Sequence, residues 1–125
     1  MKNIIRFAFI INALILICLF FACEKSYEKK KITYQITRSI SGFNVVYKNE
    51  SNELIKDTIE TNSADDIWSY NFDALPRDIV YVSASYKDTN SAVLVRILID
   101  GKIYKQASTT KDTLSYVTVS GTVNE

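Results

Sequence analysis

The feature that most constrains the fold is a two-residue alternation of apolar and polar side chains, which begins at Ile32 and recurs along the rest of the chain. Successive side chains of a β-strand point to opposite faces of a sheet, so this period predicts strands with one buried face. The inward positions that the alternation predicts are Ile32, Tyr34, Ile36, Phe43, Val45, Tyr47, Trp68, Tyr70, Phe72, Val80, Val82, Ala84, Val93, Val95, Ile97 and Ile99.

Polar turn signals separate these apolar segments. Asp100 and Gly101 form the strongest of them, because a two-residue hairpin turn requires positive φ angles and Asp-Gly adopts them readily. A weaker alternation between Ile55 and Ile59 predicts an edge strand. Turn signals at a spacing of roughly 8–12 residues are typical of antiparallel sandwiches and small barrels, and the size of the domain and its weak third strand favour the sandwich. We therefore predict an all-β fold over residues 32–125, an antiparallel immunoglobulin-like β-sandwich of seven to eight strands preceded by an N-terminal signal helix.

The N-terminus follows a different pattern. Lys2 and Arg6 precede an apolar run over residues 7–22, and Cys23 follows directly. Basic residues, an apolar core and a small residue occur in this order in secretory signals. With Ala22 before Cys23, the segment resembles the lipobox of bacterial lipoproteins, in which the signal is cut before a cysteine that receives lipid. The run is shorter than the roughly 20 residues that span a bilayer. A retained transmembrane helix and a buried helix of a soluble protein are the alternatives.

The lipobox resemblance implies three parts: a signal peptide over residues 1–22, a lipidated tether over residues 23–31, and the sandwich over residues 32–125. It implies that Cys23 carries acyl chains such as palmitate, two of which anchor a protein stably. The domain would then lie on the cell membrane or outer membrane, exposed to the periplasm or the cell exterior. Residues 29–31, all lysine, either touch anionic headgroups or form a solvated linker.

Residue types exclude several kinds of chemistry from the predicted domain. The chain has 15 basic and 14 acidic residues, and loss of Lys2 and Arg6 with the signal leaves 13 − 14 = −1, so we expect no nucleic-acid partner. It has 0 histidines, and both cysteines precede residue 24, so the usual nucleophile–base pairs and thiolate metal sites are unavailable to the domain. Asp65 and Asp66 lack the spacing of a calcium loop and are predicted to be solvated. We expect no enzymatic activity, metal or cofactor.

Aromatic side chains supply the candidate contacts for a partner or ligand. Trp68, Tyr70 and Phe72 either form a stacking platform for a sugar or lipid or fill the core, and tryptophan often fills the core of a sandwich. Tyrosine and arginine are enriched at binding hot spots, although tyrosine is also common in strands for reasons of propensity alone. The candidate contacts are Tyr81 and Tyr104, predicted to lie opposite the core, with Arg96 and Tyr86, and Tyr116 as a further tyrosine.

Six short motifs, taken in order, resemble the extracytoplasmic domain of the MmpS family. They are ITYQIT (32–37), VVY (45–47), IWS (67–69) leading to Phe72, VSAS (82–85), VRILIDGK (95–102) and VSGTV (119–123). The resemblance implies a membrane-anchored β domain that assists MmpL transporters of the resistance-nodulation-division superfamily. Two features depart from the family pattern. Family members typically keep a transmembrane helix, and the proline that usually precedes the tryptophan is replaced here by Asp66 and Ile67.

Together these patterns predict a lipoprotein that acts as a non-enzymatic interaction module. Its partners would be the membrane, through the lipid anchor, and an envelope membrane protein such as a transporter. The alternative is a surface or periplasmic binder of a small glycan or lipid.

Overall fold

Eight β-strands form the folded domain in the computed structural model, which describes residues 1–6, 8–11, 26–88, 91–109 and 116–125. The strands are β1 (Lys30–Thr37), β2 (Phe43–Lys48), β3 (Leu54–Ile59), β4 (Trp68–Ala74), β5 (Ile79–Tyr86), β6 (Leu94–Ile99), β7 (Lys102–Ser108) and β8 (Tyr116–Thr122). They pair in antiparallel fashion within two four-stranded sheets. The predicted all-β sandwich of seven to eight strands is confirmed.

The N-terminal segment begins as a helix, with residues 2–6 and 8–11 helical. The predicted lipidation site, Cys23, and most of the apolar run before it lie outside the described residues. Within the described part of the chain, no helix combines the length and apolar character needed to cross a membrane.

Each sheet brings together strands that are distant in sequence. The first sheet has the order β4–β1–β6–β7, and the second has the order β3–β2–β5–β8. The chain thus passes repeatedly between the sheets, as it does in immunoglobulin-like sandwiches. The β6–β7 hairpin turns at Asp100 and Gly101, whose φ angles are 50° and 79°. Positive φ at both positions defines the tight turn that this dipeptide predicts, so the hairpin is confirmed.

The core lies between the two sheets and consists largely of the alternating residues. From the first sheet, β1 contributes Ile32, Tyr34 and Ile36, and from the second sheet β5 contributes Val80 and Val82, all without exposed surface. Complete burial of one large apolar side chain stabilises a fold by about 1.5–3 kcal/mol. Because every second side chain of these strands is apolar, each sheet buries one face against the other sheet.

The predicted edge strand is β3, which among the described strands pairs only with β2. Ile55 and Ile59 are partly buried against the core. Asp57 shares their face, because its register partner is the inward residue Val45. An inward-pointing charge is a common way to protect a sheet edge from pairing with another chain.

The strands run between two ends of the sandwich, which differ in what they carry. We call the end at which β1 begins the tether end; it holds Lys30 and the turns β2–β3, β4–β5 and β6–β7. We call the opposite end the far end; it holds the loops over residues 38–42 and 60–67, the described residues of the loop over 87–93, and Thr109 after β7. The length of a strand therefore separates the start of β1 from the far-end loops.

Candidate functional site

The predicted contact residues do not form one surface. Tyr81 alternates with the buried residues Val80 and Val82, so it lies on the outer face of the second sheet. Arg96 lies on the outer face of the first sheet, where its Nε donates a hydrogen bond to Gln106 Oε1 at 3.1 Å. Tyr81 and Arg96 therefore point away from each other on opposite sides of the sandwich, so these two residues belong to separate surfaces.

The other two predicted contacts, Tyr86 and Tyr104, are partly buried and pack against the core. The expectation that Tyr104 lies opposite the core is wrong. A two-residue turn pairs Ile99 with Lys102 and Leu98 with Ile103. Tyr104 then comes next to the inward residue Ile97, so the hairpin register itself turns this ring toward the core. The turn signal in the sequence was sufficient to find this register.

A β-bulge in β7 places both Tyr104 and Lys105 opposite the single residue Ile97 of β6. The register shifts between Ile97 and Leu98, so that Ile97 pairs with Lys105 and Tyr104 is the extra residue. Bulges place two neighbouring side chains on one side of a strand. Tyr104 Oη donates to the Thr122 carbonyl at 3.0 Å, and Lys105 Nζ donates to the Ser120 carbonyl at 2.9 Å. Both residues therefore join β7 to β8 across the two sheets.

The aromatic row of β4 fills the space between the sheets. The Trp68 ring lies 5.4 Å from the Tyr47 ring, and the Tyr70 ring lies 4.6 Å from the same ring, measured between centroids. Phe72 packs 5.2 Å from Tyr34. All three β4 aromatics are partly buried against the core. The interpretation that this row fills the core is confirmed. The three rings contact core side chains, so they do not form an exposed platform for a ligand.

Buried hydroxyl groups hold the loops of the far end together. Ser39, Ser91 and Thr109 are buried polar residues, each less than about a tenth exposed. Ser91 Oγ accepts from the Ile40 amide at 3.0 Å, so it joins two loops that are distant in sequence. Thr109 Oγ1 accepts in the same way from the Val93 amide at 3.0 Å.

Further contacts extend this hydroxyl network to the third loop. Thr61 Oγ1 donates to the Ser39 carbonyl at 2.6 Å, and the Arg38 amide donates to the Ala64 carbonyl at 3.0 Å. An ion pair between Lys87 and Glu60 adds a surface connection. The described parts of the three far-end loops are thus tied to one another. The sequence did not predict this network, because isolated serine and threonine residues are ordinary in loops.

Two large apolar side chains project from these fixed loops. Ile67 is 64% exposed and Ile40 is 51% exposed. Apolar residues scattered singly over a surface are normal. Here, however, the two side chains stand on loops that are hydrogen-bonded to one another, so we call these the preordered loops.

The carboxylate of Asp66, at the far end, forms hydrogen bonds within its own loop. Asp66 Oδ2 accepts hydrogen bonds from the amides of Asn62 and Ser63 at 2.8 and 3.2 Å, so it caps the turn before β4. Over the described residues, no group of three His, Cys, Asp or Glu residues is placed to hold a metal ion.

No protein-family model matches the chain, and a search of curated proteins found no match.

Proposed function

We propose that the protein is a membrane-anchored lipoprotein whose sandwich acts as a non-enzymatic interaction module in the cell envelope. By its resemblance to the MmpS family, the partner is a transporter of the resistance-nodulation-division type. The observation that carries this proposal is the difference between the two ends of the domain. The chain enters from its N-terminal segment at the tether end, and the preordered loops with Ile40 and Ile67 lie at the opposite end.

The fixed far-end loops favour binding because their order is already established. Association has an entropic cost for every loop and side chain that becomes ordered at the interface. The loops that carry Ile40 and Ile67 are tied to neighbouring loops by the hydroxyls of Ser91 and Thr61, so they have less backbone freedom left to lose on binding. A partner pocket that receives Ile40 or Ile67 therefore gains most of the burial energy of that side chain.

The small-ligand alternative has less support from the same geometry. Trp68, Tyr70 and Phe72 pack against core residues, and Tyr81 and Arg96 lie on opposite outer faces. Among the described residues, Tyr81 and Tyr116 share the outer face of the second sheet, but Tyr116 pairs with Ser85, four positions along β5 from Tyr81. That separation is roughly 13 Å along the strand, so the two rings do not form one stacking platform.

Site-specific photo-crosslinking in native membranes tests the partner. A photoreactive amino acid is placed at Ile67 or Ile40 of the full chain, with Thr118 on the exposed outer face of β8 as the control position. Probes at Tyr81 and Arg96 test the contacts predicted from the sequence. We expect adducts with one envelope membrane protein at Ile67 and Ile40 and few at Thr118. Equal adduct yields at all five positions would contradict the proposal.

The lipid anchor is tested by metabolic labelling with a fatty acid. The full chain is compared with the Cys23→Ser variant, and Cys18→Ser serves as the matched control because Cys18 lies inside the apolar run. We expect loss of label in Cys23→Ser only. Equal labelling of all three proteins would rule out acylation at Cys23.

A further inference from the structure

We propose that the tether end of the sandwich rests on the bilayer interface through an apolar rim formed by Leu54, Leu75, Ile79 and Ile103. This contact is additional to the lipid anchor, and it rests on the membrane attachment proposed above. It would fix the orientation of the domain, so that the far-end loops point away from the membrane.

The rim residues are exposed although they are large and apolar. Leu54 is 62% exposed, Ile79 57%, Ile103 54% and Leu75 44%. Leu54 opens β3, Ile79 opens β5, and Ile103 is the second residue of β7. Leu75 lies in the turn between β4 and β5. All four positions therefore lie at the same end of the molecule, on both of its outer faces and at one turn.

The tether leaves the domain at this same end. Tyr27, Lys30 and Pro76 line one shallow groove, so the last tether residues run beside the β4–β5 turn. Tyr27 is itself 46% exposed, and tyrosine is enriched at membrane–water interfaces. Because the chain enters the domain at this end, the rim lies on the side of the domain nearest to the surface that holds the N-terminal segment.

The length of the tether keeps the rim close to that surface. Six residues lie between Cys23 and Lys30, so seven Cα–Cα steps join the two. An extended chain covers at most about 3.6 Å per residue, so the start of β1 lies within roughly 25 Å of an acylated Cys23. This distance is about the length of one eight-residue strand, so the domain cannot move far from the bilayer and its tether end is the nearest part.

Net charge does not favour this contact, because acidic residues such as Asp100 and Glu125 lie beside the lysines at 29–31. Arg77 forms an ion pair with Glu125 at 2.7 Å. Asp100 Oδ1 accepts from the Lys31 amide, and Asp78 Oδ2 accepts from the Leu75 amide, both at 2.9 Å. We therefore expect an apolar contact that depends little on salt and that does not require anionic lipid.

Photo-crosslinking to lipid tests the rim, because the two ends of the domain offer closely matched positions. Leu54 and Ile67 are 62% and 64% exposed, and Ile103 and Ile40 are 54% and 51% exposed. A photoreactive residue is placed at each position of the full chain in native membranes, and lipid adducts are measured by mass spectrometry at low and at high salt. Circular dichroism of each variant verifies that the β-sheet is retained.

We expect several-fold more lipid adduct at Leu54 and Ile103 than at Ile67 and Ile40, with little change at high salt. Equal lipid yields at both ends, or protein adducts in place of lipid at Leu54 and Ile103, would overturn the inference while leaving the anchor intact. Sedimentation with membranes separates the two proposals. A chain that stays in the soluble fraction would contradict membrane attachment and, with it, the rim contact.

Discussion

Tyr34 is the residue that connects the two sheets most directly. It belongs to β1 in the first sheet, is fully buried, and donates a hydrogen bond to the Lys48 carbonyl of β2 at 3.0 Å. The same hydroxyl accepts from the Tyr81 amide of β5 at 3.2 Å. The β2–β5 ladder ends one residue earlier, at Tyr47 and Val82. The phenol therefore takes the place of the next backbone pair and satisfies both groups.

Replacing Tyr34 by phenylalanine should destabilise the domain without changing its shape. The substitution leaves the Lys48 carbonyl and the Tyr81 amide without their partner, and an unsatisfied buried polar group costs about 1–3 kcal/mol. Urea unfolding of the two proteins measures the difference. Tyr81→Phe, on an outer face, is the matched control and should have a much smaller effect. Equal free energies of unfolding for Tyr34→Phe and the natural chain would show that the bridge contributes nothing.

The same tyrosine should make stability depend on alkaline pH. Burial raises the pKa of Tyr34 to about 12 and raises the pKa of Tyr47 as well. In the unfolded chain a tyrosine loses its proton near pH 10, so between pH 10 and 12 the unfolded state binds fewer protons and the free energy of unfolding falls as pH rises. The contribution of Tyr34 is fully present below pH 10, and about 2 kcal/mol of it is lost by pH 12.

Unfolding free energies measured from pH 8 to pH 12 test this dependence. The Tyr34→Phe variant keeps the contribution of Tyr47, so it should show a shallower decline than the natural chain. Parallel declines in the two proteins would mean that the Tyr34 phenol ionises as readily in the folded state as in the unfolded state.

At the scale of elements, the contact between β7 and β8 closes one side of the sandwich. Tyr104 and Lys105 reach from β7 to backbone carbonyls of β8. Gly121 makes the close approach possible, because a Cβ atom there would lie 2.6 Å from Cε1 of the Tyr104 ring. The small residue in β8 and the bulge in β7 are thus two halves of one packing arrangement.

Gly121→Ala should therefore destabilise the domain by displacing the Tyr104 ring and its hydrogen bond to Thr122. Extra atoms in a packed site typically cost about 1–3 kcal/mol. Thermal unfolding of Gly121→Ala, Tyr104→Ala and the double variant measures the coupling between the two positions. We expect the double variant to be less destabilised than the sum of the single variants.

Ser120→Ala is the control for this series, since its side chain is exposed on the neighbouring position of β8. Additive effects of Gly121→Ala and Tyr104→Ala would indicate that the methyl group at position 121 finds space elsewhere.

At the scale of the whole molecule, local patterns were enough to predict the class of fold. The alternation through Ile32, Tyr34 and Ile36 identified a buried face, and Asp100 with Gly101 identified a hairpin. These features are visible in sequence because they depend on neighbours one or two residues apart.

The strand order, the loop network and the positions of the candidate contacts could not be predicted, because they depend on contacts between segments that are distant in sequence. Pairing of β1 with both β4 and β6, rather than with β2, has no local signature. The hydrogen bond between Ser91 and Ile40 joins residues 51 positions apart and looks in the sequence like two unrelated loop residues. The candidate contacts Tyr81 and Arg96 were grouped by residue type, and only the division into sheets shows that they occupy different faces.

The position of Trp68 has a practical consequence for experiments. It is the single tryptophan of the chain, and it lies at the start of β4 in the first sheet, beside Phe43 and Tyr47 of the second sheet at centroid distances of 6.2 and 5.4 Å. Its intrinsic fluorescence therefore reports on the separation of the sheets. An event that parts the sheets should shift the emission to longer wavelength, whereas rearrangement confined to the outer faces should leave the spectrum unchanged.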